Sequence, residues 1–314
     1  MIARITKTLF LVQLAMLMMF YLLLTHLWPF ATPLPAVWNL ILSLGLVGVC
    51  RAMIVANNFF MTWPTRDMNV AAQNLNWMQF TRLFFGEFNA SMLCSCWGMP
   101  FKRFDEKLVA DNITLPVLLI HGYGCNSGYW HWMSKAFQKA GITHSALDME
   151  PLFGSIDAYA PLVHAAVERL CQQTGQARVV LVAHSMGGLA ARAYLRAHGS
   201  ARIARIITLG TPHHGTTLAN KGYGINCREM NWVGPIKDGG GSPWLRMLAE
   251  SESPQMRALT VSIYSHHDNI ISPQRSSLLD GAQNIGVSGI GHVALALHPK
   301  IQALVIKKIR EVSP

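Results

Sequence analysis

Charge is what this sequence has least of. Asp, Glu, Lys and Arg make up 13% of its 314 residues, where soluble domains carry roughly a quarter. Part of the chain therefore belongs outside water. The deficit is local: between Lys7 and Arg51 there is no charged side chain at all. Acidic residues are the scarcer sign, 16 against 26 basic, for a formal net charge of +10. A basic surface can serve nucleic acid or anionic lipid. No basic helix interleaved with aromatics and no zinc-finger spacing is present, which argues against nucleic acid. Beside an apolar anchor, attraction to acidic lipid headgroups is the simpler reading. Cysteines are also few: Cys50, Cys94, Cys96, Cys125, Cys171 and Cys227. They are too sparse for a dense disulfide framework. Cys94 and Cys96 are too close for a zinc-knuckle pair and no second pair follows, so free thiols in a reducing compartment are expected.

What the uncharged stretch does contain is hydrocarbon. Leu9 to Trp28 is apolar but for Gln13, Thr25 and His26, about the ~20 residues a helix needs to cross a bilayer core. Trp28-Pro29-Phe30-Ala31-Thr32-Pro33-Leu34-Pro35 then breaks the helix. A second apolar stretch runs from Ala36 to about Ala56. Trp28 and Trp38 flank the turn as aromatic anchors at one interface. Arg4 and Lys7 precede the first span, Arg51, Arg66 and Arg82 lie in or after the second, and the turn carries no charge. The distribution of basic residues predicts a two-span hairpin in the cell's inner membrane, with both ends and everything after it on the cytoplasmic side. The rival, a signal peptide ending near Ala31, lacks a clear small-residue cleavage site. Residues 57–100 are dense in aromatics, among them Phe59, Phe60, Trp63, Trp77, Phe84, Phe85 and Phe88. They suit either packing on the next domain or lying in the bilayer interface.

From Pro116 the pattern becomes strand–helix alternation. Strands are expected at Val117–Ile120, Thr143–Met149, Arg178–Ala183, Ile203–Leu209, Leu259–Tyr264 and Asn284–Val287. Helices are expected at Trp130–Ala140, Ser155–Gln172, Met186–Ala197 and Gly291–Arg310. This predicts an α/β domain with a mainly parallel sheet and helices on both faces. The stretch from about Gly215 to Met256, with Gly222, Gly224, Gly234 and Gly239-Gly240-Gly241, is a long insertion. It serves either as a lid over a site or as a structured excursion.

Val179-Val180-Leu181-Val182-Ala183-His184-Ser185-Met186-Gly187-Gly188 carries the chemistry. A buried strand runs into a sharp turn with Ser185 at its tip and then into a helix. Small residues flank the serine because the turn has no room for bulk, with Ala183 in the place of the first glycine of G-x-S-x-G. A serine needs a base, and the base an orienting acid. Asp268 lies just past a strand end; Asp280, in the turn Leu279-Asp280-Gly281, is the alternative. His292 opens the last helix; His298 is the alternative base. His266 and His267 neighbour the acid and suit structural roles. Negative charge on a substrate oxygen requires two backbone donors. Met186, directly after the serine, and Tyr123, in His121-Gly122-Tyr123-Gly124, are the candidates. His213-His214 could suggest a metal, but adjacent imidazoles rarely share one ion and no acidic or Cys cluster accompanies them.

These pieces, with Gly210-Thr211-Pro212-His213-His214-Gly215 and Gly291-His292, resemble the bacterial lipase/esterase branch of the α/β-hydrolases. The resemblance covers roughly Leu115 to the C-terminus, about two thirds of the chain. It implies a triad of Ser185, Asp268 and His292, an oxyanion hole from Tyr123 and Met186, and no organic cofactor. It also implies hydrolysis of carboxylic esters with a small-molecule or lipid ester as partner. Acyl transfer or thioester cleavage by the same triad is the alternative. The expected division is a membrane hairpin over 1–57, an aromatic linker over 58–114, and an α/β-hydrolase domain over 115–314 with the insertion at about 215–256.

Overall fold

The computed structural model describes residues 2–26, 35–67, 74–102, 104, 106–109, 114–234 and 240–312. Ile2–His26 (α1) and Ala36–Thr62 (α2) are helices long and apolar enough to cross a membrane. At 1.5 Å per residue, α1 is about 37 Å long, more than a hydrocarbon core of ~30 Å. Their apolar side chains point outward: Leu11, Met18, Val37, Leu44 and Val49 are all exposed. The two pack on each other, and Asn39 Nδ2 donates to Thr25 Oγ1 at 3.3 Å. α2 continues past the expected limit at Ala56, because the first helix breaker after it is Pro64. The proline-rich turn with Trp28 lies outside the described residues, Pro35 excepted.

Trp77–Leu93 (α3) starts at a reciprocal cap in which Asn76 and Gln79 satisfy each other's backbone amides. One face buries Leu83, Glu87 and Ala90; the other leaves Trp77, Met78 and Phe85 exposed. A π-turn, Cys94–Gly98, and a short helix, Met99–Phe101 (α4), lead into the next domain.

That domain is a six-stranded parallel sheet. Its strands are Val117–Ile120 (β1), His144–Leu147 (β2), Val179–His184 (β3), Ile203–Leu209 (β4), Thr260–Ser265 (β5) and Gln283–Val287 (β6), in the order β2-β1-β3-β4-β5-β6. The helices are His131–Lys139 (α5), Ala160–Thr174 (α6), Met186–His198 (α7), Ile225–Glu229 (α8), Pro243–Glu250 (α9), Pro254–Ala258 (α10) and Pro299–Arg310 (α11). The inner strands read as unbroken apolar runs because both faces are covered. Leu118, Ile120, Leu181 and Ala183 pack towards α6 and α7. Val117, Leu119, Val180 and Val182, one residue out of phase, face the opposite core with α5 and α11.

The expected closing helix Gly291–Arg310 is two elements. A 3-10 turn occupies Val293–Ala296, and α11 begins only at Pro299. Proline has no N–H to continue a helix but suits its first turn, and His298 caps α11 by accepting from the Lys300 amide. The insertion after β4 is structured by α8, α9 and α10, with 235–239, including Gly239, outside the described residues. It is pinned to the sheet domain where Glu229 accepts from Ser155 Oγ and the Ile156 amide, both at 2.6 Å.

Parallel register aligns the strand ends. Ile120 pairs with both Leu147 and Ala183, and Leu209 with His184 and Ile263. The loops that follow therefore gather on one edge. The base of the hairpin stands on that same edge. Ile2 is buried there with its amide on the Glu150 carboxylate. Thr65 Oγ1 meets Ser272 Oγ at 2.8 Å and Thr217 Oγ1 at 3.2 Å.

Candidate active site

Ser185 is the one described non-glycine residue with positive φ, at φ 55° and ψ −128°. Such a conformation costs an L-residue roughly 1–3 kcal/mol and persists only where the surroundings enforce it. β3 and α7 do so: the Ser185 amide donates to Leu209 O at 2.9 Å, and Thr211 Oγ1 donates to Ser185 O at 2.9 Å. The β1 loop lies against this turn. A Cβ on Gly122 would sit 2.8 Å from Ser185 Cβ, so only glycine lets the Tyr123 segment come so close.

Asp268 and His292 meet across the loops after β5 and β6. His292 Nδ1 lies 2.8 Å from Asp268 Oδ2, with both side chains almost fully buried. Asp268 Oδ1 accepts from the Ile270 and Ile271 amides at 2.8 and 2.7 Å, which fixes the carboxylate. The His292 amide donates to Asn269 Oδ1 at 3.0 Å. Burial lowers the His292 pKa, but the charge and hydrogen bond of Asp268, with the charge of Glu87, outweigh it and leave it raised. His184, beside the serine, sets its ring 4.5 Å from that of His292, tilted by 48°, and bonds to His292 O through Nε2 at 3.1 Å. Burial, followed by the His292 charge, holds His184 well below the usual imidazole range, so it packs as a neutral ring. Among the described residues no hydrogen bond joins the Ser185 hydroxyl to His292.

Met186 opens α7, where the first amides have no partner within the helix. Among the described residues neither its amide nor that of Tyr123 donates a hydrogen bond. The Tyr123 hydroxyl reaches the insertion, donating to Tyr223 O at 2.8 Å. Asp280 is exposed and His298 caps α11, so neither joins the cluster. His267 accepts from the Gly289 amide at 3.0 Å. His213 is buried beside the Arg192 guanidinium, at 3.4 Å, a poor place for a second cation. No group of three or more His, Cys, Asp or Glu suited to a metal occurs among the described residues. Asn269, His184 and Glu87 lie at the site without having stood out in the sequence. Glu87 had a signal: it and Asp67 are the two carboxylates of the first hundred residues, and it sits in Phe84-Phe85-Gly86-Glu87-Phe88.

Residues 116–226 match the family model described as alpha/beta hydrolase fold. A triacylglycerol lipase of Pseudarthrobacter phenanthrenivorans is 30% identical over 114 residues, 33% of this chain and 35% of that protein. A triacylglycerol lipase of Pseudomonas fragi is 30% identical over 128 residues, 35% of this chain and 39% of that protein. The match thus spans about a third of the length of these curated relatives. Among solved structures, a Bacillus licheniformis lipase in mature form superposes with a TM-score of 0.54 at 18% identity, over 68% of this chain and 98% of that one. Lipase B of Aspergillus fumigatus gives 0.51 at 18% identity, over 64% and 54%. With its parallel sheet, its serine elbow after β3 and these likenesses, the chain has the α/β-hydrolase fold.

Proposed function

We propose that this chain is a membrane-anchored serine hydrolase that cleaves carboxylic esters of lipid-like acyl groups. The observation that carries the reading is the Asp268–His292 pair at 2.8 Å, held beside the strained Ser185 turn. His292 removes the Ser185 proton as the oxygen attacks the acyl carbonyl. The Tyr123 and Met186 amides hold the oxyanion, aided by the α7 N-terminus. His292 then protonates the leaving alcohol, and water activated by the same ring frees the acid. Asp268 orients the ring and stabilises its charged form. The triacylglycerol lipase relatives support an ester substrate. Its lipid character is supported by α1 and α2, whose base stands on the edge of the sheet that bears the site. An ester dissolved in the bilayer has a short path there.

The division follows the same logic: a hairpin over 1–57 in the inner membrane, an aromatic collar over 58–114, and a hydrolase domain over 115–314 facing the cytoplasm. Arg4, Lys7, Arg51 and Arg66 cluster towards the base of the hairpin, the side that the positive-inside rule keeps in the cytoplasm. Ser185→Ala should abolish turnover of p-nitrophenyl acyl esters and labelling by a fluorophosphonate while leaving the melting transition in place. Undiminished turnover in that variant would refute the proposal.

A further inference from the structure

A carboxylate from outside the sheet domain enters the site. Glu87 projects from α3 and is 1% exposed. Its Oε1 accepts the Val293 amide at 2.9 Å and its Oε2 the Ala294 amide at 3.0 Å. These are the two residues directly after His292. Tyr129 donates its hydroxyl to Val293 O at 3.1 Å, so the turn is held from both sides. Gly291, directly before His292, completes the fit: a Cβ there would lie 2.6 Å from Glu87 Cδ. Burying a carboxylate is expensive unless hydrogen bonds compensate it, and here the two amides of the histidine turn supply that compensation.

We propose that Glu87 is a positioning residue for His292: by clamping the Val293 and Ala294 amides it fixes the turn that aims the imidazole, making the collar part of the catalytic machinery. The clamp works as a helix cap does. The 3-10 turn has unpaired amides at its start, and a carboxylate accepting two of them sets the direction of the chain as well as its order. Groups facing His292 are Asp268 from the β5 loop, Glu87 from α3 and His184 from β3. Groups facing Glu87 are His292 and Asp268, with Tyr129 and Cys94 beside them. Burial raises the Glu87 pKa above the usual carboxylate range, outweighing the two amides and the His292 charge that pull it down.

The proposal rests on the hydrolase reading, and the test separates the two. Glu87→Ala and Glu87→Gln are made in the full chain, in detergent, and followed by ester kinetics across pH, by thermal melting, and by titration of His292 in ¹⁵N-histidine-labelled protein. Glu87→Ala should lower kcat about 10- to 100-fold, no more than the low end of the ~10²–10⁴ that a positioned base contributes, with KM within about twofold. Its acid limb and the His292 titration should move to lower pH, because a negative neighbour has been removed. Glu87→Gln keeps one acceptor, so it should recover part of kcat but not the limb. An unchanged kcat overturns the proposal. So does a lowered kcat accompanied by a lower melting temperature with limb and titration in place, which marks a merely structural residue. A wild-type chain inert to esters and to fluorophosphonate sinks the hydrolase reading instead. The His292 titration still decides the clamp: equal values in wild type and Glu87→Gln overturn it.

Discussion

The imidazole of His292 is where burial and charge compete. Removal from water favours its neutral form, and the Asp268 and Glu87 carboxylates favour the charged one; the carboxylates win and the pKa rises. A general base must be neutral to accept a proton. The acid limb of kcat/KM should therefore lie above the ordinary imidazole value of about 6.5, with activity falling as pH drops through it. Stability runs the other way. A raised folded-state pKa contributes stability that is complete below the unfolded value and is lost as pH rises through the folded one. A pH–rate profile with its acid limb below the ordinary imidazole value would contradict this account. Ser185 was legible in the sequence, because a tight turn between an apolar strand and a helix leaves its mark in small neighbours. The choice of Asp268 over Asp280 was not fixed locally. Both are acids in loops after β5; in the fold Asp268 is buried with the Ile270 and Ile271 amides and His292 Nδ1 on its carboxylate, while Asp280 is exposed.

At the level of elements, α7 has two duties. Its N-terminus presents the Met186 amide, and one face carries Arg192 into the interior. That guanidinium donates through Nε and Nη2 to Glu252 at 2.6 and 2.8 Å, with both side chains 2% exposed. It also donates to His213 O at 3.3 Å. The pair ties α7 to the end of the insertion, between α9 and α10. Removing one partner strands a buried charge. Glu252→Gln should cost about 3–5 kcal/mol, read as a drop in the urea midpoint. Glu168→Gln, in the solvent-facing pair with Arg202, should cost less than about 1 kcal/mol. Similar losses for the two variants would show that the buried pair contributes nothing special. The strands were readable from their apolar runs. The last helix was read too long, since its amphipathic pattern passes through Val293–Ala296 while Pro299 has no N–H to carry a helix on and starts α11 instead.

For the molecule as a whole, the governing feature is that an apolar hairpin and a soluble-type sheet domain are joined through more than a linker. Arg275 pairs with Asp67 at 2.6 Å, Thr65 meets Ser272, and α3 carries Glu87 to the histidine turn. The two helices expose leucine, valine and methionine side chains that water would not tolerate as a contiguous surface. The full chain should stay in the membrane pellet after alkaline carbonate extraction. Protease added outside intact cells should leave the 115–314 domain uncut, and protease added after lysis should cut it. Release into the supernatant, or cleavage from outside, would count against the anchor or its orientation respectively.

The sequence by itself determined what short-range sterics and periodicity control: two hydrocarbon-length helices, six strands with their helices, and a serine on a bend that only small neighbours allow. Each follows from residues within a turn or two of one another. The tertiary structure decided which distant charges share the site. Glu87 meets the Val293 amide across 206 residues of sequence, and Asp268 meets His292 across 24. Those meetings depend on parallel register bringing strand ends to one edge and on the collar folding over that edge. No local pattern encodes such a closure, because a buried carboxylate and a solvated one look the same until the chain around them has folded.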